Sequence, residues 1–373
     1  MIGLTVFFTA GVGLHDWEAN GNLDRELGIY NYLAGRQVKI NLVTYGGKKD
    51  RRYRERISGL RVLPVSWHRS QKVTAMNLLA CYLPALASSR VFKTNQLRGS
   101  QIAVWLKTIL GKKLIVRCGF LHSFFVRNQT RDENTIREAL YWEGKAFRSA
   151  DMVFVTSSWQ KDYVCQEHGI AEEIIRVVPN YVETEKFKPL AGSRPEYDLV
   201  LVGRDAGQKN LDNLLAALAL LAGDGKRFSL ALAGDCAGSD KLRGNADKYG
   251  LDVAFLGSLP NSELPALLNK SRCFILPSFY EGHPKVLLEA MSCGLACIGA
   301  RVPGIREEIE HKQNGYLCST GPEDIARAIE DVLSDESLRQ VIGKNARRHV
   351  VENYDINRIG ELELAALEEV IKK

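Results

Sequence analysis

The feature that most constrains this chain is an alternation that recurs along its whole length. Short, uninterrupted apolar runs, several closed by Gly or Pro, alternate with longer amphipathic stretches. An apolar run without polar gaps reads as a strand buried on both faces. Such strands separated by helical stretches read as a parallel sheet covered by helices. In the first half the runs are Leu4–Phe8, Val38–Val43, Arg61–Val65, Leu114–Val116, Met152–Val155 and Ile175–Val178. In the second half they are Leu199–Val202, Ser229–Ala233, Val253–Leu256, Cys273–Leu276, Leu295–Ile298 and Gly315–Leu317. Helical stretches fall at Asp212–Leu221, Ser262–Leu268, Pro284–Cys293 and Glu323–Leu333. The pattern predicts an α/β chain with two Rossmann-like, doubly wound parallel sheets, and 373 residues are enough for two domains.

The polar, proline-bracketed segment from Pro179 to Pro195 is the expected join, giving domains over 1–180 and 181–355. The last stretch, 356–373, reads as an amphipathic helix with Ile359, Leu362, Ala366 and Val370 on one face. It covers either the second sheet or, crossing back, the first.

Charge separates the halves. Residues 1–180 carry 26 Lys and Arg against 15 Asp and Glu, or +11, and residues 181–373 carry 24 against 29, or −5. Thirteen basic residues and one acid, Glu55, lie between Arg51 and Lys113. Within that stretch Val73, Met76, Ala80 and Leu83 fall near helical spacing. Basic residues beside an amphipathic segment suit an anionic membrane surface, and a solvated basic face over a core helix is the plainer alternative. No binding motif and no aromatic interleaving along the basic run points to nucleic acid. No apolar stretch approaches the ~18 residues of a membrane helix, and no basic leader or cleavage site opens the sequence. The eight cysteines are scattered without a C-x-x-C pair, as reduced thiols of a cytoplasmic protein would be. These features together suit a cytoplasmic chain, peripheral on the inner membrane face.

Two segments carry chemistry. Glu281-Gly282-His283-Pro284 follows the run Cys273–Leu276 and opens a helix that Gly294 is placed to end. A helix start behind a buried strand offers free N–H groups to a phosphate, and Gly282 allows close approach to the backbone. Glu281 stands at the mouth as a hydroxyl acceptor, with Glu289 about one and a half turns into the helix. Two carboxylates around a phosphate site suit a molecule with a sugar at each end of a diphosphate. The second segment ends the run Leu199–Val202 at Gly203, with Arg204 and Lys209 flanking a short loop. Cations at the C-terminal edge of a parallel sheet stand where open α/β folds bind anions.

Both segments resemble the signatures of glycosyltransferase family 4: the Glu-x7-Glu motif beginning E-G-x-P, and the G-R-x(n)-K-N turn. The likeness extends to Val178–Val182, Phe187–Pro189, Phe255–Ser258 and Val302–Glu307, and is looser in the first half. It implies the GT-B fold, two Rossmann-like domains facing a central cleft, the first binding acceptor and the second the nucleotide-sugar donor. It also implies retaining transfer from a nucleotide-diphosphate sugar, a substrate and not a cofactor, without a metal. Arg204 and Lys209 would neutralise the diphosphate, Glu289 would hold the ribose, and Glu281, Gly282, His283 and Pro284 would meet the donor sugar. Family members commonly carry Phe or another apolar residue at the position of His283.

In the first half, Gly11 and Gly13 after the first run resemble a glycine-rich loop that approaches the donor phosphates. His15 and Asp16 follow as candidates for an acceptor hydroxyl, alongside the alternative of a solvated loop. After Leu114–Val116 the family often places a catalytic His on the loop. Here His122 is the nearest, and Arg117 is an alternative phosphate ligand. Glu281 and His122 are thus the catalytic candidates, with a glycan or lipid-linked acceptor and a role in surface polysaccharide or lipopolysaccharide synthesis. A nucleotide-sugar epimerase, hydrolase or phosphorylase, and a non-catalytic nucleotide-sugar-binding subunit, remain the alternatives.

Overall fold

The computed structural model describes residues 2–204 and 207–372. The chain divides into two compact units, Met1–Pro179 with Asn357–Lys373, and Asn180–Ile356. The first holds strands β1 (Ile2–Phe7), β2 (Val38–Thr44), β3 (Leu60–Pro64), β4 (Val91–Thr94), β5 (Lys113–Cys118), β6 (Met152–Val155) and β7 (Ile175–Val177). They form one sheet in the order β3-β2-β1-β4-β5-β6-β7, every pair parallel. The second holds β8 (Tyr197–Val202), β9 (Leu230–Ala233), β10 (Val253–Gly257), β11 (Ser271–Leu276), β12 (Ala296–Ala300) and β13 (Tyr316–Cys318). Their order is β10-β9-β8-β11-β12-β13, again parallel throughout.

Burial on both faces explains why these strands are apolar without gaps. In the second unit Leu199 and Leu201 of β8 pack with Ile275 under the helices Leu211–Gly223 and Pro322–Ser334. Val200, one residue out of phase, packs with Phe274 and Leu276 under the helices Lys285–Ser292 and Glu336–Tyr354. The period of two splits one strand between two cores.

One strand departs from the apolar pattern. β4 reads Val-Phe-Lys-Thr, and Lys93 interrupts the run. Its ammonium is 1 % exposed and pairs with Glu363, equally buried, on the terminal helix Ile356–Lys372. Burial pushes the Lys93 pKa down, while the Glu363 carboxylate opposes the shift. The terminal helix is thereby tied to the first unit. Its inward face is Ile359, Glu363, Ala366, Leu367 and Val370, and Leu362 is exposed, contrary to the apolar stripe expected from spacing. Gly360 lies so close to Tyr32 that an added Cβ would meet its ring at 2.3 Å. Arg176 and Glu369 close the far end of the same helix.

The helix Gln71–Ser88 turns outward the apolar positions noted at helical spacing. Its buried residues are Thr74, Ala75, Leu78, Ala85 and Leu86, whereas Val73, Met76 and Leu83 face outward. The surrounding basic stretch is partly neutralised. Arg52 and Arg56 pair with Glu18, and Lys107 and Lys113 pair with Asp151. All eight cysteines are free thiols. Among the described residues no helix is long and apolar enough to cross a membrane.

Candidate functional site

In each sheet the strand order reverses direction once, between β1 and β4 and between β8 and β11. Open parallel sheets bind ligands at the carboxyl ends of the strands flanking such a point. In the second unit the loops after β8 and β11 carry the two signature segments, so the topology brings together residues 72 positions apart.

Backbone and amide hydrogen bonds fix the two loops. The Phe279 N–H donates to the Gln208 carbonyl at 3.0 Å, and Gln208 Nε2 donates to the Tyr280 carbonyl at 2.9 Å. Asn210, in a left-handed conformation at φ 59°, donates through Nδ2 to the carbonyls of Pro277 at 3.0 Å and Thr320 at 2.8 Å. Between these anchors Lys209 Nζ meets Glu281 Oε1 at 2.5 Å, and the Ser278 hydroxyl donates to the same oxygen at 2.8 Å. The two charged side chains are 11 % and 8 % exposed. A buried pair of this kind contributes little net stability, since desolvation offsets attraction. Removal of one partner leaves a costly lone charge. Arg204 is exposed at the end of β8, and the loop residues 205 and 206 lie outside the described residues.

The helix Lys285–Ser292 begins one residue later than expected, with Pro284 as its N-cap. Gly294 follows the helix at φ 76°, as its expected terminator. Within the helix Glu289 is 2 % exposed and accepts from Asn261 Nδ2 at 3.0 Å, and Asn261 Oδ1 accepts from Lys186 Nζ at 2.8 Å. Gly304 presses on the loop before this helix. At φ 79° it stands so near that a Cβ would lie 2.1 Å from the Gly282 carbonyl oxygen. Only glycine fits there.

The His283 side chain, as distinct from the backbone assigned to the donor sugar, is 1 % exposed, with Nδ1 3.1 Å from the Asn180 amide and Nε2 3.1 Å from Glu308 Oε1. A backbone N–H can only donate, so Nδ1 accepts and the ring proton is assigned to Nε2, where it meets the carboxylate. Burial alone would raise the Glu308 pKa. The His283 imidazole and hydrogen bonds from His283, His349 and Tyr354 outweigh it and hold the carboxyl at about 2. Ser278, Asn261 and Glu308 are site residues that sequence patterns did not single out, and Asn180 fell within the Val178–Val182 likeness without an assigned role. Only the fold brings the four to the signature loops.

In the first unit, Gly11 and Gly13 stand after β1 at the corresponding reversal point. Gly11 adopts φ 74° and is exposed. The Gly13 amide donates to Asp16 Oδ2 at 2.7 Å, and a Cβ on Gly13 would lie 2.6 Å from Asp50 Oδ2. Asp50, fully buried, accepts from the amides of Leu14 at 2.9 Å and His15 at 3.1 Å and lies 2.9 Å from His15 Nδ1. Burial opposes its ionisation, but bonds from Thr44, Leu14 and His15 win and lower its pKa. A carboxylate thus satisfies the first amides of the helix Leu14–Ala19, beside the glycine-rich loop. His15 Nε2 lies 3.3 Å from Asp16 Oδ1, so the ring is held between two carboxylates. Arg117, on β5, donates its backbone N–H to Thr94 Oγ1 at 3.0 Å and extends its guanidinium to 3.5 Å from the Val178 carbonyl. His122 is exposed at the first position of the helix His122–Gln129.

Residues 182–349 match the family model for glycosyl transferases group 1, and residues 27–186 match that for glycosyltransferase family 4. A glycogen synthase from Mycobacterium tuberculosis is 29 % identical over 216 residues, 56 % of this chain and 51 % of the relative. The chain therefore spans about half the length of that relative. Among solved structures, sucrose-phosphate synthase from Thermosynechococcus elongatus superposes with a TM-score of 0.80 at 21 % identity, covering 99 % of this chain and 98 % of that one. The Anabaena protein HepE, solved in complex with UDP-glucose, gives 0.77 at 18 % identity, covering 99 % and 100 %. At such identities the likeness establishes the fold, which is GT-B. The chain belongs to glycosyltransferase family 4.

Proposed function

We propose that this chain is a retaining, metal-independent glycosyltransferase that moves a hexosyl group from a nucleotide-diphosphate sugar to a glycan or lipid-linked acceptor in surface polysaccharide synthesis. The observation that carries the reading is the 2.5 Å pair of Lys209 and Glu281 at the β8–β11 reversal point. Lys209 and the exposed Arg204 supply positive charge for a diphosphate, as a point charge and a planar fork. Glu281 then changes partner, from the ammonium to donor-sugar hydroxyls and to the positive charge that develops at the anomeric carbon. In the step, the bond from the anomeric carbon to the diphosphate oxygen breaks as the acceptor oxygen bonds on the same face. The acceptor proton passes to the departing phosphate oxygen, so no strong protein base is required. Glu289 is assigned to the ribose hydroxyls. The test is turnover: Glu281→Ala should abolish transfer from UDP-glucose or whichever donor stabilises the protein in a thermal-shift screen. Full turnover by that variant would refute the assignment.

A docking face on a cytoplasmic membrane surface belongs to the same reading. Val73, Met76, Trp105, Ile109, Tyr141 and Trp142 are exposed on the helices Gln71–Ser88, Ser100–Leu110 and Glu133–Arg148. Lys72 lies 5.0 Å over the Trp105 ring and Lys145 lies 5.1 Å over that of Trp142. Indoles with apolar neighbours and flanking lysines suit the headgroup region of an anionic bilayer. Sedimentation with anionic vesicles, lost in Met76→Glu/Ile109→Glu and weakened by salt, supports this face. Equal binding to neutral vesicles, or none to either, removes it.

A further inference from the structure

The resemblance implies that the residue between Gly282 and Pro284 lines the donor sugar through its backbone, with its side chain either meeting the sugar or packing. In this chain it is a histidine turned away into a closed polar cluster. Its side chain and that of Glu308 are 1 % and 2 % exposed. Asn180 grips the residue twice, donating its amide N–H to His283 Nδ1 at 3.1 Å and its side-chain Nδ2 to the His283 carbonyl at 2.7 Å. Nε2 faces Glu308 at 3.1 Å, and the remaining Glu308 oxygen lies 3.5 Å from His349 Nε2. The Tyr354 ring stands edge-on to both imidazoles, with centroids 5.4 Å away in each case. Burial and the Glu308 charge push the Tyr354 hydroxyl pKa up.

These contacts converge on one short piece of backbone. The segment bearing Gly304 and Glu308 touches the donor loop at the Gly282 carbonyl and again at the His283 ring. Asn180 holds the next carbonyl. Lys209 and Ser278 hold the Glu281 carboxylate, two residues earlier. An apolar ring would fill the same space without satisfying the Asn180 amide or the Glu308 carboxylate, and buried polar groups without partners are costly. We infer that His283 is a positioning residue: through Asn180 and Glu308 it fixes the loop backbone, and hence the placement of Glu281, without touching the donor. This rests on the proposed donor site and specifies how that site is held.

Three variants separate its two bonds. His283→Asn presents an oxygen near the place of Nδ1, keeping an acceptor for Asn180 and losing Glu308. His283→Gln carries an amide N–H towards Glu308 and loses the Asn180 bond. His283→Ala loses both. Turnover, donor KM, UDP affinity and melting temperature are measured for each, beside Glu281→Ala. A loop displaced by about 1 Å costs on the order of 10²-fold in rate. We therefore expect His283→Ala to lower kcat by about 10- to 100-fold with UDP affinity little changed, because Lys209 and Arg204 are untouched, and Asn or Gln to restore part of it. Unchanged kcat in all three, with only a lower melting temperature, overturns the inference and leaves a packing role. A raised donor KM with wild-type kcat also overturns it, since His283 would then meet the sugar. Full turnover in Glu281→Ala refutes the donor site itself. Loss of turnover there, with active His283 variants, refutes the positioning role alone.

Discussion

Lys209 and Glu281 make opposite predictions although they form one ion pair. Without donor, the ammonium lies 2.5 Å from the carboxylate, with both side chains almost buried. Removing either leaves a lone charge in a poorly solvated place, which costs about 3–5 kcal/mol. In the proposed donor site, Lys209→Ala would also remove a charge-assisted contact to the diphosphate. At about 1.5–3 kcal/mol for a hydrogen bond to a charged group, UDP affinity should fall by about 10- to 100-fold. Glu281→Ala instead frees the ammonium. UDP then supplies the negative partner that the mutation removed, so UDP should bind at least as tightly as in the parent. It should also raise the melting temperature by more than it does in the parent. Isothermal calorimetry and thermal denaturation with UDP measure both effects. Equal weakening by the two substitutions would refute the account, because it would mean that the pair acts only as a structural clamp.

Three further outcomes follow from buried charges and the exposed helix faces. Glu363→Ala strands Lys93 inside the first unit and should cost about 3–5 kcal/mol, read as a lowered melting temperature. The pair Lys93→Met/Glu363→Leu should recover most of that loss. Glu308 has a folded pKa of about 2 against an ordinary 4.5, so its contribution is complete above about pH 4.5 and is lost as pH falls towards 2. That contribution is on the order of 3 kcal/mol. Parent and Glu308→Gln melting temperatures should therefore converge over that acid window, and a constant gap would contradict the assignment. Lys72→Glu/Lys145→Glu should reduce sedimentation with anionic vesicles while leaving donor turnover in solution unchanged, and unaltered sedimentation would exclude these lysines from the docking face.

Most of the fold is legible in the sequence because strands buried on both faces leave uninterrupted apolar runs, as Leu199–Val202 and Cys273–Leu276 do. The departures share one cause. β4 escapes notice because Lys93 breaks its apolar run, and on the terminal helix Leu362, expected on the buried face, is exposed whereas Glu363 turns inward to meet that lysine. Each half of the pair looks like a surface residue until the fold joins them across 270 positions. The donor loops are legible as segments, but their pairing is not, because contact between Lys209 and Glu281 follows from the adjacency of β8 and β11. His283 shows the same limit. Its neighbours in sequence suggest a sugar contact, whereas Asn180 and Glu308, distant in sequence, decide where the ring points.

The central proposal is transfer with retention at a donor site built on Glu281 and Lys209. Proton NMR of the first-formed product, with an α-linked nucleotide sugar as donor, tests it most directly. The account predicts an α-anomeric signal at the earliest times, absent in Glu281→Ala. A β product from the same donor would contradict it.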